Sequence, residues 1–178
     1  AENLISLGYN AVDNEHFKIS AAAAREDADR LRAEFDLPDR YILASGRFIE
    51  KKNFPRLVRA YADAKKAVPD APSLVILGDG DERANIEAEI TATGMQDSVK
   101  LAGFKTYEDL PTLYGLSEGF VHVSFVEQWG LVINEAMSTG VPVVASHACG
   151  AASTVIADGE NGFLVDATET ASIADALQ

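Results

Sequence analysis

Glu127, Gly130 and Glu135 stand in EQWGLVINE with seven residues between the two acids, a spacing that can hold a phosphorylated ligand. A helix starting near Gly130 leaves the N–H groups of Gly130, Leu131 and Val132 without intrahelical partners, and its macrodipole adds positive potential there. A diphosphate suits that end. Glu135, five residues further on, lies about 7.5 Å along the axis, roughly the distance from a diphosphate to its ribose. Its carboxylate can therefore grip ribose hydroxyls, and a charge-assisted hydrogen bond there contributes roughly 1.5–3 kcal/mol, about one to two decades of affinity. Glu127 lies on the other side of the helix start, so acid, amides and acid match the sugar, diphosphate and ribose of a nucleotide sugar. Taken singly, each glutamate reads as a solvated residue near a helix terminus; the joint spacing favours a site.

A second group precedes another helix. YILASGRFIEKKNF places Gly46 and Arg47 at the end of a strand and Lys51, Lys52 and Asn53 just before a helix that Asn53 is expected to cap. Arg47 can fork onto phosphate oxygens while Lys52 adds a point charge, and both would stabilise a departing nucleoside diphosphate without a metal. Lys51 is read as a surface residue interacting with Glu50. A third loop, LGDGDER, carries Gly78 and Gly80, but Arg83 occupies the third glycine position of a dinucleotide fingerprint. Asp79, Asp81 and Glu82 would crowd a pyrophosphate, so the loop reads as a wall of the cleft.

The elements positioning these residues follow from apolar runs: YILAS at 41, SLVILG at 73, SVKLAG at 98, GFVHVS at 119, PVVAS at 142 and GFLV at 162 read as buried strands. Helices are expected over 54–68, 82–93, 110–116, 130–139 and 154–158, and the alanine-rich stretch 20–35 reads as a surface helix. Strand–helix alternation predicts an α/β fold: a Rossmann-like, doubly wound parallel sheet of about six strands with helices on both faces. Its ligand should lie off the carboxyl ends of the strands, where the glycine-bearing loops gather.

The 178 residues include fifteen basic and twenty-eight acidic side chains, for a net charge of −13. That excess repels nucleic acid and anionic lipid, so an anionic ligand needs a local cluster of donors. One cysteine, Cys149, permits no internal disulfide, and His16, His122 and His147 show no metal-ligand spacing. Cys149 lacks an acidic orienter for a nucleophile's role, and His122 within a strand pattern reads as packed. No apolar run reaches span length and no leader pattern opens the chain, which predicts a cytoplasmic protein. The first residues show no strand, and ASIADALQ stops within an apparent last helix; the expectation is one domain, residues 1–178, cut from something larger.

NAVDNEHF at 10–17, GRFIEKKNF at 46–54, LGDGDER at 77–83, EQWGLVINEAMSTGVPVVAS at 127–146 and DGENGFLV at 158–165 together resemble the C-terminal domain of the retaining glycosyltransferases of family 4, which have the two-Rossmann GT-B architecture. The resemblance implies that Arg47 and Lys52 bind the donor diphosphate, Glu127 contacts the donor sugar and Glu135 holds the ribose. Glu127, Arg47 and Lys52 are then the residues acting in the reaction, and Glu135, Gly130, Leu131, Val132, Gly46 and Gly78 the donor-binding set. It further implies a hexosyltransferase-type transfer to a sugar, lipid-linked or other hydroxyl acceptor with retention. No metal and no cofactor take part, since the nucleoside-diphosphate sugar is itself a substrate. The acceptor-binding domain would precede residue 1; without it the chain should be inactive or nearly so, and any attachment to the inner membrane would come through it. Two departures stand out: Gln128-Trp129 replaces the usual Gly-Phe, and Gly150-Ala151-Ala152-Ser153-Thr154 carries a hydroxyl where an acid is usual. A sugar-nucleotide epimerase, a phosphorylase-like enzyme and a non-catalytic nucleotide-sugar sensor remain as alternatives.

Overall fold

The computed structural model describes residues 11–178, so the readings of the opening segment, including Asn10 of the first motif, lie outside the described residues. The strands β1 (Tyr41–Ser45), β2 (Ser73–Leu77), β3 (Val99–Gly103), β4 (Gly119–His122), β5 (Val143–Ser146) and β6 (Gly162–Val165) coincide with the six expected runs. All pairings are parallel, in the order β3-β2-β1-β4-β5-β6. Among the described residues, eight α-helices connect and flank them: α1 (Asn14–Glu26), α2 (Ala28–Glu34), α3 (Phe54–Ala67), α4 (Arg83–Thr93), α5 (Leu110–Gly115), α6 (Leu131–Ser138), α7 (Ala152–Val155) and α8 (Thr170–Ala176).

Residues alternate across the strands, and each face of the sheet builds its own apolar layer. Tyr41, Leu43, Val75, Phe120 and Val143 meet α1, α5 and α6 on one side. Leu74, Ile76, Val121 and Val123 meet α3, α4 and α8 on the other. The result is the doubly wound Rossmann-like fold. Its order reverses between β1 and β4, the switch point at which such sheets open a crevice.

Two helices differ from expectation. The alanine-rich stretch begins earlier, at an Asp13 cap whose side chain accepts from the His16 amide at 2.9 Å, and it breaks at Asp27 into α1 and α2. α1 is a surface helix with one buried face: Phe17, Ala21 and Ala24 are buried, whereas Lys18, Ala22 and Ala23 stay exposed. Its alanines allow close approach: a Cβ on Gly115 of α5 would stand 2.7 Å from that of Ala21. Arg25 donates to the carbonyls of Gly115 (2.9 Å) and Thr139 (2.7 Å), at the ends of α5 and α6. The helix expected at 154–158 is instead Ala152–Val155. Asn161 takes over its end, accepting from the Ala157 amide at 2.8 Å and donating to the Val155 carbonyl at 3.1 Å.

Among the described residues, no helix is long and apolar enough to cross a membrane. Replacing the fully buried Phe17 by alanine should cost about 3–5 kcal/mol in urea unfolding, whereas a solvated helix would lose under about 0.5 kcal/mol.

Candidate functional site

The loop leaving β1 has two unusual backbone positions. Gly46 has φ +153°, and Asn53 stands in the left-handed region at φ 61°. Asn53 occupies the position before α3, but its side chain does not cap the helix as expected. It is buried and donates instead to the carbonyls of Val123 (3.1 Å) and Ala167 (2.9 Å), tying this loop to those following β4 and β6. Beside it, the Phe125 amide donates to the Lys51 carbonyl at 2.8 Å. The β1 and β4 loops are thus joined through backbone before any charge is considered.

On that frame the Lys52 ammonium donates to Glu127 Oε2, while Lys51 Nζ lies 3.6 Å from Oε1. Lys51 is exposed, as the sequence reading had it, but its partner is corrected from Glu50 to Glu127, because the short helical turn Glu50–Lys52 directs both lysines to one carboxylate. Glu127 is held from behind as well: its amide donates to Ala148 O at 3.1 Å and its carbonyl accepts from Gly150 N at 3.2 Å. Gly150 makes that approach possible, as a Cβ there would fall 2.3 Å from the Gln128 carbonyl oxygen. Burial pushes the Glu127 carboxyl up, but the Lys52 hydrogen bond and the two lysine charges outweigh it and hold the group below the usual glutamate range.

Gly130 follows with φ 93°, which favours glycine, and α6 begins at Leu131 without a side-chain cap. The amides opening this helix therefore carry no capping side chain, beside the two lysines. A Cβ on Gly130 would stand 3.4 Å from Glu127 Cγ and 3.9 Å from His122 Nε2, so acid, glycine and histidine are neighbours. His122 is buried and shares a 3.2 Å hydrogen bond with Ser124 Oγ. Burial above all, then the Lys52 charge, lowers its pKa to about 3. A neutral packed ring agrees with the strand reading. Trp129 is half-buried and donates from Nε1 to Asn134 Oδ1 at 3.1 Å, while Ser153 and Thr154 turn their hydroxyls back onto the Gly150 carbonyl.

Glu135 lies deeper than the other acid. It is 9% exposed and accepts from the Tyr114 hydroxyl at 3.0 Å, which in turn lies 3.3 Å from Ser45 Oγ. Burial pushes its carboxyl up, and the tyrosine hydrogen bond opposes that shift.

Beyond β2, Gly78 (φ +129°) approaches so closely that a Cβ would stand 2.0 Å from Gly46 O. Two backbone hydrogen bonds, Phe48 N to Asp79 O (2.8 Å) and Glu82 N to Phe48 O (3.0 Å), fasten the loops together. Asp79 spends its charge locally on Arg83 at 2.9 Å and accepts from the Gly80 amide at 2.8 Å. This loop borders an open groove of ≈ 330 Å³ lined by Ser45, Gly46, Arg47, Leu77, Phe104 and Leu110, among others. Exposed Arg47 has no ion pair or hydrogen-bonding side-chain partner among the described residues, whereas both lysines are engaged.

The structure thus brings Lys52, Glu127, Gly46 and Gly130 into one contiguous patch, with Leu131 and Val132 opening α6 beside it. Arg47 and Gly78 share the adjoining groove. Glu135 meets its own partner, Tyr114, which the sequence reading passed over because it sits in an apolar helix pattern. Cys149 is buried, and chiefly for that reason its thiol rises to about 11. No cluster of three or more metal-ligating side chains occurs among the described residues.

A model of the glycosyl transferases group 1 matches residues 26–178. The chain belongs to that family. It is 34% identical to alpha-D-kanosaminyltransferase of Streptomyces kanamyceticus and 33% identical to the lipopolysaccharide core biosynthesis glycosyltransferase LpsE of Rhizobium meliloti. In both matches the whole chain aligns with about half of the relative, 45% and 50% respectively. Among solved structures, the Anabaena protein HepE in complex with UDP and glucose superposes with a TM-score of 0.81 at 27% identity, covering 99% of this chain and 47% of that one. The C-terminal domain of the group 1 protein LpcC from Francisella tularensis gives a TM-score of 0.78 at 26% identity, covering 94% and 86%. The GT-B assignment therefore stands, with the chain matching a C-terminal-type domain of this glycosyltransferase family.

Because the folded carboxyl of Glu127 is held below its ordinary 4.5, its contribution is present above that pH and lost as pH falls through the lowered value. The stability gap between wild type and Glu127→Gln should accordingly be widest near pH 7 and close towards pH 3 in urea titrations. Nitrogen NMR should find the His122 ring neutral at pH 5; a cation there would contradict its burial.

Proposed function

We propose that this chain binds a nucleoside-diphosphate sugar at the carboxyl edge between β1 and β4. With an acceptor-binding domain outside the chain, it would transfer the glycosyl group to a hydroxyl with retention, as in family 4. The observation that supports this best is the juxtaposition of the uncapped α6 terminus with the Lys51–Lys52–Glu127 cluster, while Arg47, on the adjoining groove, has no ion pair among the described residues. The diphosphate lies against the amides of Gly130, Leu131 and Val132, and Arg47 and Lys52 take its oxygens. Lys52 must then exchange its carboxylate for phosphate, which frees Glu127 for the sugar hydroxyls.

As the glycosidic bond breaks, negative charge grows on the leaving diphosphate. Fixed cations and amides stabilise that charge without reorganising, because the folded loops already hold them in place. This reading needs no metal and no cofactor. Glu135 takes the ribose, and the apolar wall formed by Leu77, Phe104 and Leu110 suits a planar base. Gly46 and Gly78 keep the adjoining backbone low enough for the ligand to approach. HepE, solved with UDP and with UDP-glucose, is a relative of matching fold at 27% identity, which favours this ligand class. The domain that completes the reaction accounts for the half of the relatives' length that this chain does not span.

Calorimetry with UDP, GDP and ADP should find one nucleoside diphosphate bound by the chain, with affinity unchanged by EDTA. Glu135→Ala should weaken that complex about tenfold or more. Equal affinity in the variant would overturn the ribose assignment, and a strict need for magnesium or manganese would overturn the metal-free reading.

A further inference from the structure

Glu135 presents a problem of order. A glutamate side chain has several rotatable bonds, and an acid buried at 9% exposure cannot rely on water to orient it. Its only hydrogen-bond donor among the described residues is the Tyr114 hydroxyl, on Oε2 at 3.0 Å. Oε1 is left without a protein partner among those residues.

Tyr114 is itself immobilised. Its ring is fully buried, packed edge-on against Phe120 with centroids 5.2 Å apart and tilted on Phe17 at 6.1 Å. The next residue, Gly115, is pressed against α1 and accepts from Arg25, so the backbone carrying the ring has little freedom. The hydroxyl has a second neighbour, Ser45 Oγ, at 3.3 Å. Ser45 ends β1 and immediately precedes Gly46 and Arg47. One buried chain of three polar groups therefore links the start of the β1 loop to the acid on α6. Any buried phenol needs a hydrogen-bond partner; here that partner is the acid on α6, and the second contact ties the pair to the end of β1.

We infer that Tyr114 is a positioning residue for ligand recognition: its hydroxyl, steadied by Ser45, fixes Glu135 through Oε2 and so presents Oε1 to the ribose hydroxyls. This rests on the reading in which Glu135 holds the ribose. Tyr114 touches no ligand and acts only through the acid. Its contribution should therefore appear as discrimination between ribose and deoxyribose, and not as a uniform loss of affinity.

The test measures binding of UDP, GDP and ADP, each with its 2′-deoxy and 3′-deoxy counterparts, to wild type, Tyr114→Phe and Ser45→Ala by calorimetry. For the base that binds tightest, wild type should prefer the ribonucleotide by about tenfold over at least one deoxy form. Tyr114→Phe keeps the ring but should bring that preference to within about twofold, while Ser45→Ala should fall between. If wild type shows no preference, or binds none of the three, the ribose reading fails and takes this inference with it. A clear wild-type preference that survives in folded Tyr114→Phe overturns the inference alone. Should thermal melts show Tyr114→Phe unfolded, Ser45→Ala decides: an undiminished preference there overturns the inference as well.

Discussion

The cleft depends on holding two loops from adjacent parallel strands together at the point where the strand order reverses. β1 and β4 are distant in sequence, yet their pairing puts the loop at Gly46 beside the loop at Glu127. Two contacts fix their separation, the Phe125 amide on the Lys51 carbonyl and the Asn53 side chain on the Val123 carbonyl, while Gly150 holds Glu127 from the β5 loop. The Lys52–Glu127 pair sits on that frame. A partly buried pair of this kind adds little net stability, because desolvation offsets much of its Coulomb attraction. What it contributes is a fixed arrangement of charge, one cation and one anion held side by side at the strand edge.

This local arrangement runs against the molecule's overall field. A chain carrying −13 repels anions over most of its surface. Lys51 and Lys52 are gathered instead at one edge on Glu127, close to the uncapped start of α6, with Arg47 in the adjoining groove. Partial charges of amides and full charges of side chains point to the same small volume, where the two effects add.

The sheet was legible in the sequence because strands buried on both faces must be short and apolar, and the intervening helices amphipathic. All six runs became strands. Features that depend on size or on a single side-chain contact were less visible. Alanine favours a helix wherever it lies, so its frequency in α1 could not distinguish a solvated helix from one pressed against Gly115. Asn53 is a common cap, but its amide found two carbonyls of other loops. Lys51 sits next to Glu50 in sequence, and only the tight turn at Glu50–Lys52 shows it reaching Glu127 beside Lys52. The glutamate spacing singled out two acids, whereas Tyr114 left no mark, since a tyrosine inside an apolar pattern reads as core. Its hydroxyl acquires meaning only when β1, α5 and α6 are assembled around it.

Arg25 extends this dependence away from the cleft. Its guanidinium closes the carboxyl ends of α5 and α6 together, the helices that bear Tyr114 and Glu135. It stands one residue before the stretch that matches the family model, on a helix that makes no contribution to the cleft's own lining. α1 consequently works as a splint, and a truncation removing it would be felt first as slack between the two helices it braces on its own face of the sheet.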